Sequence, residues 1–315
     1  MKKVLKFIRG LVIVNVPVRH IIKWRYTFNK RVFTYFSVHW PVYGNISFKL
    51  PNGKQVKIYS RGDDFVSTQA YWKGYEGYEG PSIRLFYHLA LQSKVIVDIG
   101  SNVGYYTLIA ANANNQSKVY AFEPVPGIYK RLAKNIELNN LKNTIPVNSA
   151  VGNTEVPLKF YLPNVEGMAL AGSTKKGWAN DVKEIEVQSI SLDAFKTKEK
   201  PGKIDLIKVD CEFHEVEALN GMKDILKTDK PLLVMEVLFP QGEGHAHFKN
   251  DYYLEIERLM KENGYYFYLI SEMALIRLDK LEYNPDERNY LFSTKKSDNV
   301  YLSFTDIPTL LKGIL

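Results

Sequence analysis

The stretch VIVDIGSNVGYYT carries an apolar run to Asp98 and then places Gly100 and Gly104 in a G-x-x-x-G turn before a helical pattern starts. Glycines at such a turn let backbone approach a ligand closely, and amides opening a helix favour a carboxylate or phosphate. The spacing is neither the dinucleotide G-x-G-x-x-G nor a phosphate loop with its Lys-Ser/Thr pair, which weighs against a nicotinamide cofactor. Glu123 closes the next apolar run, 25 residues after Asp98, where a carboxylate can take both hydroxyls of a ribose. A later run ends in VDCEFH, which puts Asp210, Glu212 and His214 at the mouth of the same site. Of these, His214 has the ordinary pKa best suited to a base near neutral pH. A carboxylate such as Asp210, ending a buried strand at a ligand edge, is costly without a role. Glu212 and Glu215 can alternatively serve as first-turn charges of a helix.

Positioning these groups requires strands that end together. VIVDI (95 to 99), KVYAF (118 to 122), TIPVN (144 to 148), KIDLIKV (203 to 209) and PLLVMEV (231 to 237) are short β-branched runs of the kind buried on both faces. Between them, PGIYKRLAKNIEL puts Ile128, Leu132 and Ile136 on one helical face, and HEVEALNGMKDIL does the same for Val216, Leu219 and Met222. The alternation predicts an α/β fold with a doubly wound parallel sheet and a ligand site at the carboxyl ends of its strands. Upstream, ISFKL and VKIYS alternate apolar and polar around Asn52-Gly53, which predicts a β-hairpin.

The chain has 315 residues, 45% of them apolar, and a single cysteine, Cys211. That supports a real core, rules out an intramolecular disulfide, and suits a reducing, cytoplasmic setting. Cys211 itself reads as core or pocket wall. Of the net charge of +8, all comes from the first 50 residues, where ten Lys or Arg stand with no Asp or Glu. Lys6 and Arg9 interrupt the opening apolar stretch and no small-x-small cleavage site follows, so a secretory signal is rejected. Residues 1 to about 30 then have two readings: an amphipathic helix on an anionic membrane surface, or a helix docked on the main domain. The expected division is an N-terminal basic segment and hairpin over 1–82 and a catalytic domain over 83–315.

VIVDIGSNVGYYTL, AFEPVPG, SLDAF (191 to 195) and IKVDCEFHEVEALNG (207 to 221) together resemble the FkbM-type methyltransferases, a branch of the class I S-adenosylmethionine-dependent enzymes. The resemblance runs from about Tyr75 to Lys296. It implies a Rossmann-like seven-stranded sheet with the last strand antiparallel, supplied by GYYFYLI (264 to 270) and NYLFSTK (289 to 295). It also implies that Asp98, Gly100, Ser101, Asn102 and Gly104 surround the methionine end of S-adenosylmethionine. Glu123 would hold the ribose, Asn148, Ser149 and Ala150 would border the adenine, and Glu79 would close over the cofactor. Where the family usually has Gly in D-x-E-G-x-E, this chain has Phe213, a change expected to alter the substrate pocket or the turn leaving the strand.

Transfer from a sulfonium asks the protein to align the acceptor, exclude water and, for a hydroxyl, take a proton. Asp210, Glu212 and His214 are the catalytic candidates. The expected activity is O-methylation of a glycan, glycolipid or secondary metabolite. RNA methylation is the competing enzyme reading, disfavoured by a body that is slightly acidic; a non-catalytic membrane-surface module on the same fold is the competing non-enzyme reading. A divalent metal between Asp210 and Glu236, or at His245 and His247, is kept outside the main reading. The loop 163–184 with Trp178, and the aromatic stretch Tyr71, Trp72, Tyr75 and Tyr78, are candidates for either acceptor recognition or packing.

Overall fold

A computed structural model describes residues 12–26, 40–163, 172–174, 181–239 and 252–314. The expectations for residues 1–11, for Trp178 and for His245 and His247 lie outside these residues.

The chain opens with α1 (Val12–Tyr26), then a hairpin of β1 (Tyr43–Lys49) and β2 (Gln55–Arg61), followed by α2 (Phe65–Lys73) and α3 (Gly80–Gln92). Alternation then sets in with β3 (Val95–Ile99), α4 (Tyr105–Ala113), β4 (Lys118–Phe122), α5 (Pro126–Leu138) and β5 (Thr144–Val147). Short β6 (Ala150–Val151) and β9 (Ser189–Ile190) flank the ribbon of β7 (Leu158–Pro163) and β8 (Val182–Val187), and α6 (Leu192–Glu199) follows. Next come β10 (Leu206–Val209), α7 (Glu215–Asn220), α8 (Lys223–Thr228) and β11 (Leu232–Glu236). The chain then runs through α9 (Tyr252–Glu262), β12 (Tyr266–Ile270), β13 (Ala274–Leu278), β14 (Asn289–Ser293), β15 (Tyr301–Ser303) and α10 (Ile307–Ile314).

Among the described residues the main sheet has nine strands in the order β15-β13-β12-β14-β11-β10-β3-β4-β5. From β11 to β5 every neighbour is parallel, while β14 runs antiparallel between β11 and β12. The seven strands expected are therefore present, with the last of them in the chain, β14, running antiparallel as expected and inserted between β11 and β12. Two more antiparallel strands, β13 and β15, extend the edge beyond β12.

Period-two alternation sorts the strand residues into two cores. Ile96, Val119, Ala121, Leu206, Val234 and Leu291 pack with α3, α4 and the hairpin. Val97, Ile99, Phe122, Ile207, Val209, Leu233 and Phe292 pack with α6, α7 and α8. The hairpin forms around Asn52-Gly53, with Ile46, Phe48, Val56 and Ile58 in the first core. Asn side chains in α5 and at its C-cap satisfy the hairpin's free edge: Tyr59 N–H donates to Asn135 Oδ1 and Lys57 N–H to Asn139 Oδ1, both at 2.8 Å. The helical run 214–226 is broken in two at Gly221, where a Cβ would lie 1.9 Å from the Gly152 carbonyl oxygen. SLDAF serves this junction, because Asp193 accepts the N–H groups of Asp224 and Ile225 at 3.0 Å and so caps α8.

Candidate active site

A cavity of about 560 Å³ opens at the carboxyl ends of β3, β4, β10 and β11, a size ordinary for small-molecule sites. Its floor is the turn between β3 and α4. Gly100 adopts φ of +80° and a Cβ there would sit 1.8 Å from the Asp210 carbonyl oxygen, so only glycine lets the ends of β3 and β10 close up. Gly104 caps α4 at φ of +94°, pressed against Leu132, and is not part of the cavity wall.

The backbone N–H groups of this turn are already in use. Gly100 and Ser101 donate to the Phe122 carbonyl at 3.0 and 2.9 Å, Asn102 to Glu123 Oε2 at 3.0 Å, Val103 to Asn102 Oδ1 at 2.7 Å and Gly104 to the Ser101 carbonyl at 2.8 Å. The bonds of these five amides close the turn ahead of α4. What the turn presents instead is Glu123. Its Oε1 accepts Val125 N–H at 2.9 Å, so two amides fix the carboxylate while each oxygen keeps a lone pair to offer. Burial pushes its pKa up to about 7. A pair of sugar hydroxyls donating to it would relieve that desolvation, and Ser149, Ala150, Val125 and Ile128 wall the adjacent space with a largely apolar surface. The residues fit a nucleoside. Asn148 lies behind this wall, its Nδ2 donating to the carbonyls of Glu123 and Pro124 at 2.8 and 3.0 Å.

Beside the nucleoside space lies an acidic end built by strand parity. Asp98 and Lys208 are register partners across β3 and β10, and Asp210 and Glu236 follow on the same face of their strands. Lys208 is only 1% exposed, with Nζ 3.3 Å from Asp210 Oδ2 and 4.9 Å above the Tyr106 ring. Burial works against its charge, but Asp210, Glu79, Glu236 and Asp98 outweigh it and hold the ammonium above the ordinary lysine range. Burial pushes Asp98 up to about 6 despite the Thr107 hydroxyl bonded to it. Burial also drives Glu236 well above the carboxylate range, reinforced by Asp210, Glu212 and Glu79. Glu79 caps α3, accepts the Tyr106 hydroxyl at 2.6 Å, and is pushed upward by burial against the pull of Lys208.

Of the residues singled out from sequence, Asp98, Gly100, Ser101, Asn102, Glu123, Ser149, Ala150, Asp210, Glu212 and His214 line one cavity. Glu79 stands behind Tyr106 at its edge. His214 is buried, with Nδ1 3.2 Å from Thr174 Oγ1 and 3.6 Å from Glu217, and its Nε2 edge faces Gly152 and Ser189. Phe213 turns its ring away from the cavity onto Tyr252, at a centroid distance of 5.8 Å. It therefore acts on the turn, where Glu212 and Phe213 take φ of +51° and +67°, and not on the pocket's shape. The aromatic stretch divides: Tyr71 and Trp72 are core, whereas Tyr78 faces the cavity. Cys211 is pocket wall, with its thiol pushed well above its usual range by burial and then by Glu215 and Asp210. Lys208 is the residue sequence reading passed over, although a lysine inside the buried run LIKV was its signal.

A doubly wound sheet with this pocket at its strand ends defines a nucleoside-binding α/β enzyme fold. The model of the family described as Methyltransferase FkbM domain matches residues 98–267, more than half of the chain, and the chain belongs to that family. The hexuronic acid methyltransferase AglP of Haloferax volcanii is 29% identical over 154 residues, covering 46% of this chain and 57% of that protein. Methyltransferase sdnD of Sordaria araneosa is 27% identical over 222 residues, covering 61% and 78%. The solved methyltransferase FkbM of Methylobacillus flagellatus aligns with a TM-score of 0.39 at 14% identity, covering 73% of this chain and 55% of that one. The chain spans 57% of AglP and 58% of Methyltransferase 1 of Beauveria bassiana, less than two thirds of either.

Proposed function

We propose that the chain is an S-adenosylmethionine-dependent O-methyltransferase whose acceptor is a hydroxyl of a glycan, glycolipid or secondary metabolite. The single observation that carries the reading is Glu123, a buried carboxylate fixed by two amides at the end of β4 and facing an apolar-walled space. Family membership supports the same conclusion. S-adenosylmethionine supplies a methyl group already activated as a sulfonium. The chain's own residues then have three tasks. Glu123 holds the ribose, with Ser149 and Ala150 beside the base. Asp98 and Asp210 offset Lys208 beside this space, and Glu79 and Glu236 add carboxyl oxygens that can accept from a cationic group there. The third task is to take the acceptor's proton. Asp210 and Glu236 end adjacent strands at this place and both line the cavity, which makes them the candidates to accept the acceptor's proton. His214, engaged with Thr174 and Glu217, positions the wall rather than reaching across it.

An acid-rich mouth disfavours a polyphosphate, and the likeness to the hexuronic acid methyltransferase AglP supports a sugar-bearing acceptor. Incubating the chain with methyl-labelled S-adenosylmethionine and a fractionated cell extract tests the reading by mass analysis. A glycan, glycolipid or metabolite gaining one methyl on a hydroxyl is the expected product. Label confined to RNA, or no acceptor in any fraction, contradicts it. With the acceptor in hand, Glu236→Gln should lower turnover about 100-fold or more with cofactor affinity retained.

A further inference from the structure

α1 docks on the domain through a polar and basic side. Asn15 Nδ2 donates to the Pro41 carbonyl at 3.0 Å, and Arg19 donates to the Tyr43 and Asn45 carbonyls at 2.6 and 3.2 Å. Arg19 and Lys23 both lie over the Tyr71 ring, at 4.7 and 4.6 Å from its centre, and Lys23 also donates to the Tyr71 carbonyl. Arg19 and Lys23 are therefore spent inward beside Ile22 and Val18, which pack on the core, while three large apolar side chains point out. Ile13, Ile21 and Trp24 are 83%, 62% and 79% exposed. With exposed Pro17 they stand at i, i+4, i+8 and i+11, one stripe along the helix.

We propose that this stripe is an interfacial anchor, seated in the headgroup region of an anionic lipid bilayer. Charge complementarity selects the occupant. Besides the inward-turned Arg19 and Lys23, the first 62 residues hold 11 Lys or Arg and no Asp or Glu, against 29 and 34 in the remainder, so the apolar stripe sits in the one strongly basic part of the chain. An acidic protein surface would answer the charge but not three large apolar side chains, one of them a Trp, which partitions to membrane interfaces. Among the described residues no helix is long and apolar enough to cross a membrane, so the contact is with the surface. The anchor stands whether or not the methyl-transfer reading does.

The test is co-sedimentation of the full chain with phosphatidylcholine vesicles made with and without phosphatidylserine. Binding to the phosphatidylserine vesicles, a blue shift in tryptophan emission that Trp24→Phe abolishes, and at least tenfold weaker binding by Ile21→Asp support the anchor. Both positions are exposed, so the variants should melt with the wild type; Ile13→Asp serves if one does not. Three results overturn it: no binding to phosphatidylserine vesicles at low salt, equal binding by Ile21→Asp, or a concentration-dependent dimer that Ile21→Asp dissociates, which would make the stripe a contact between copies.

Discussion

Lys208 Nζ lies 3.3 Å from Asp210 Oδ2, two residues along the same strand face, in a site where the lysine has almost no contact with solvent. One ammonium thus serves the carboxylates of Asp210, Glu79, Glu236 and Asp98 at once. Removing one member of a buried charge group leaves the others uncompensated, which costs more than the pair contributes.

Lys208→Met should accordingly destabilise the fold at pH 7.5 by about 3–5 kcal/mol. The loss should shrink toward pH 5, because the remaining carboxylates escape the penalty by binding protons. Urea unfolding across that range checks it; a variant as stable as the wild type at high pH would show that the lysine is dispensable.

The unliganded chain should itself lose stability as pH rises. Burial raises Asp98 from 3.8 to about 6 and Glu123 from 4.5 to about 7, and both are raised above their unfolded values. Their stabilisation is therefore fully present below the unfolded pKa, near 4, and is lost as pH climbs through 6 to 7. Each is worth on the order of 3 kcal/mol at about 1.4 kcal/mol per unit. Melting temperature followed from pH 5 to 8 should fall, and Glu123→Gln should flatten the upper part of the curve. A curve identical in the variant would remove Glu123 as a source.

Gly100→Ala should cost about 3 kcal/mol or more, since the new Cβ meets a backbone oxygen and the backbone is left-handed. The expected readout is a lowered denaturation midpoint together with loss of cofactor binding. Full affinity in a well-folded variant would mean that β3 and β10 can separate without consequence.

Phe213 stores backbone strain and fills space at once. Phe213→Ala should lose about 3–5 kcal/mol through the cavity left beside Tyr252. Phe213→Gly should be more stable than Phe213→Ala by about 1 kcal/mol, reversing the usual order, because only glycine adopts positive φ freely. Neither should change cofactor affinity. An alanine variant at least as stable as the glycine one would argue that the turn relaxes.

Much of this was legible in the chain. β-branched runs located the parallel strands, Ile128, Leu132 and Ile136 are buried on α5 as their spacing required, and the glycine turn and Glu123 meet where a strand-end site places them. Less was legible where contacts between distant residues decide. β13 and β15 lie at the sheet's edge and are short, five and three residues, so their sequences carry weak periodicity. The break at Gly221 depends on a carbonyl 69 residues away in sequence. α1 has apolar and basic stripes, and which one faces the protein was settled by carbonyls of the hairpin that Arg19 can reach. Lys208 could have been found by applying period two to LIKVD, which aligns it with Asp210 and, across the sheet, with Asp98.

The central claim is that this pocket binds S-adenosylmethionine through Glu123. Calorimetry on the wild-type chain and on Glu123→Gln, in buffers of different ionisation enthalpy, tests it most directly. The account predicts micromolar-range binding, about −8 kcal/mol, with protons released near pH 7 as the ribose hydroxyls favour the charged carboxylate. It further predicts a loss of about 1.5–3 kcal/mol in the variant, with the proton release gone. No heat at millimolar ligand, or equal affinity and equal proton release in a folded Glu123→Gln, would contradict it.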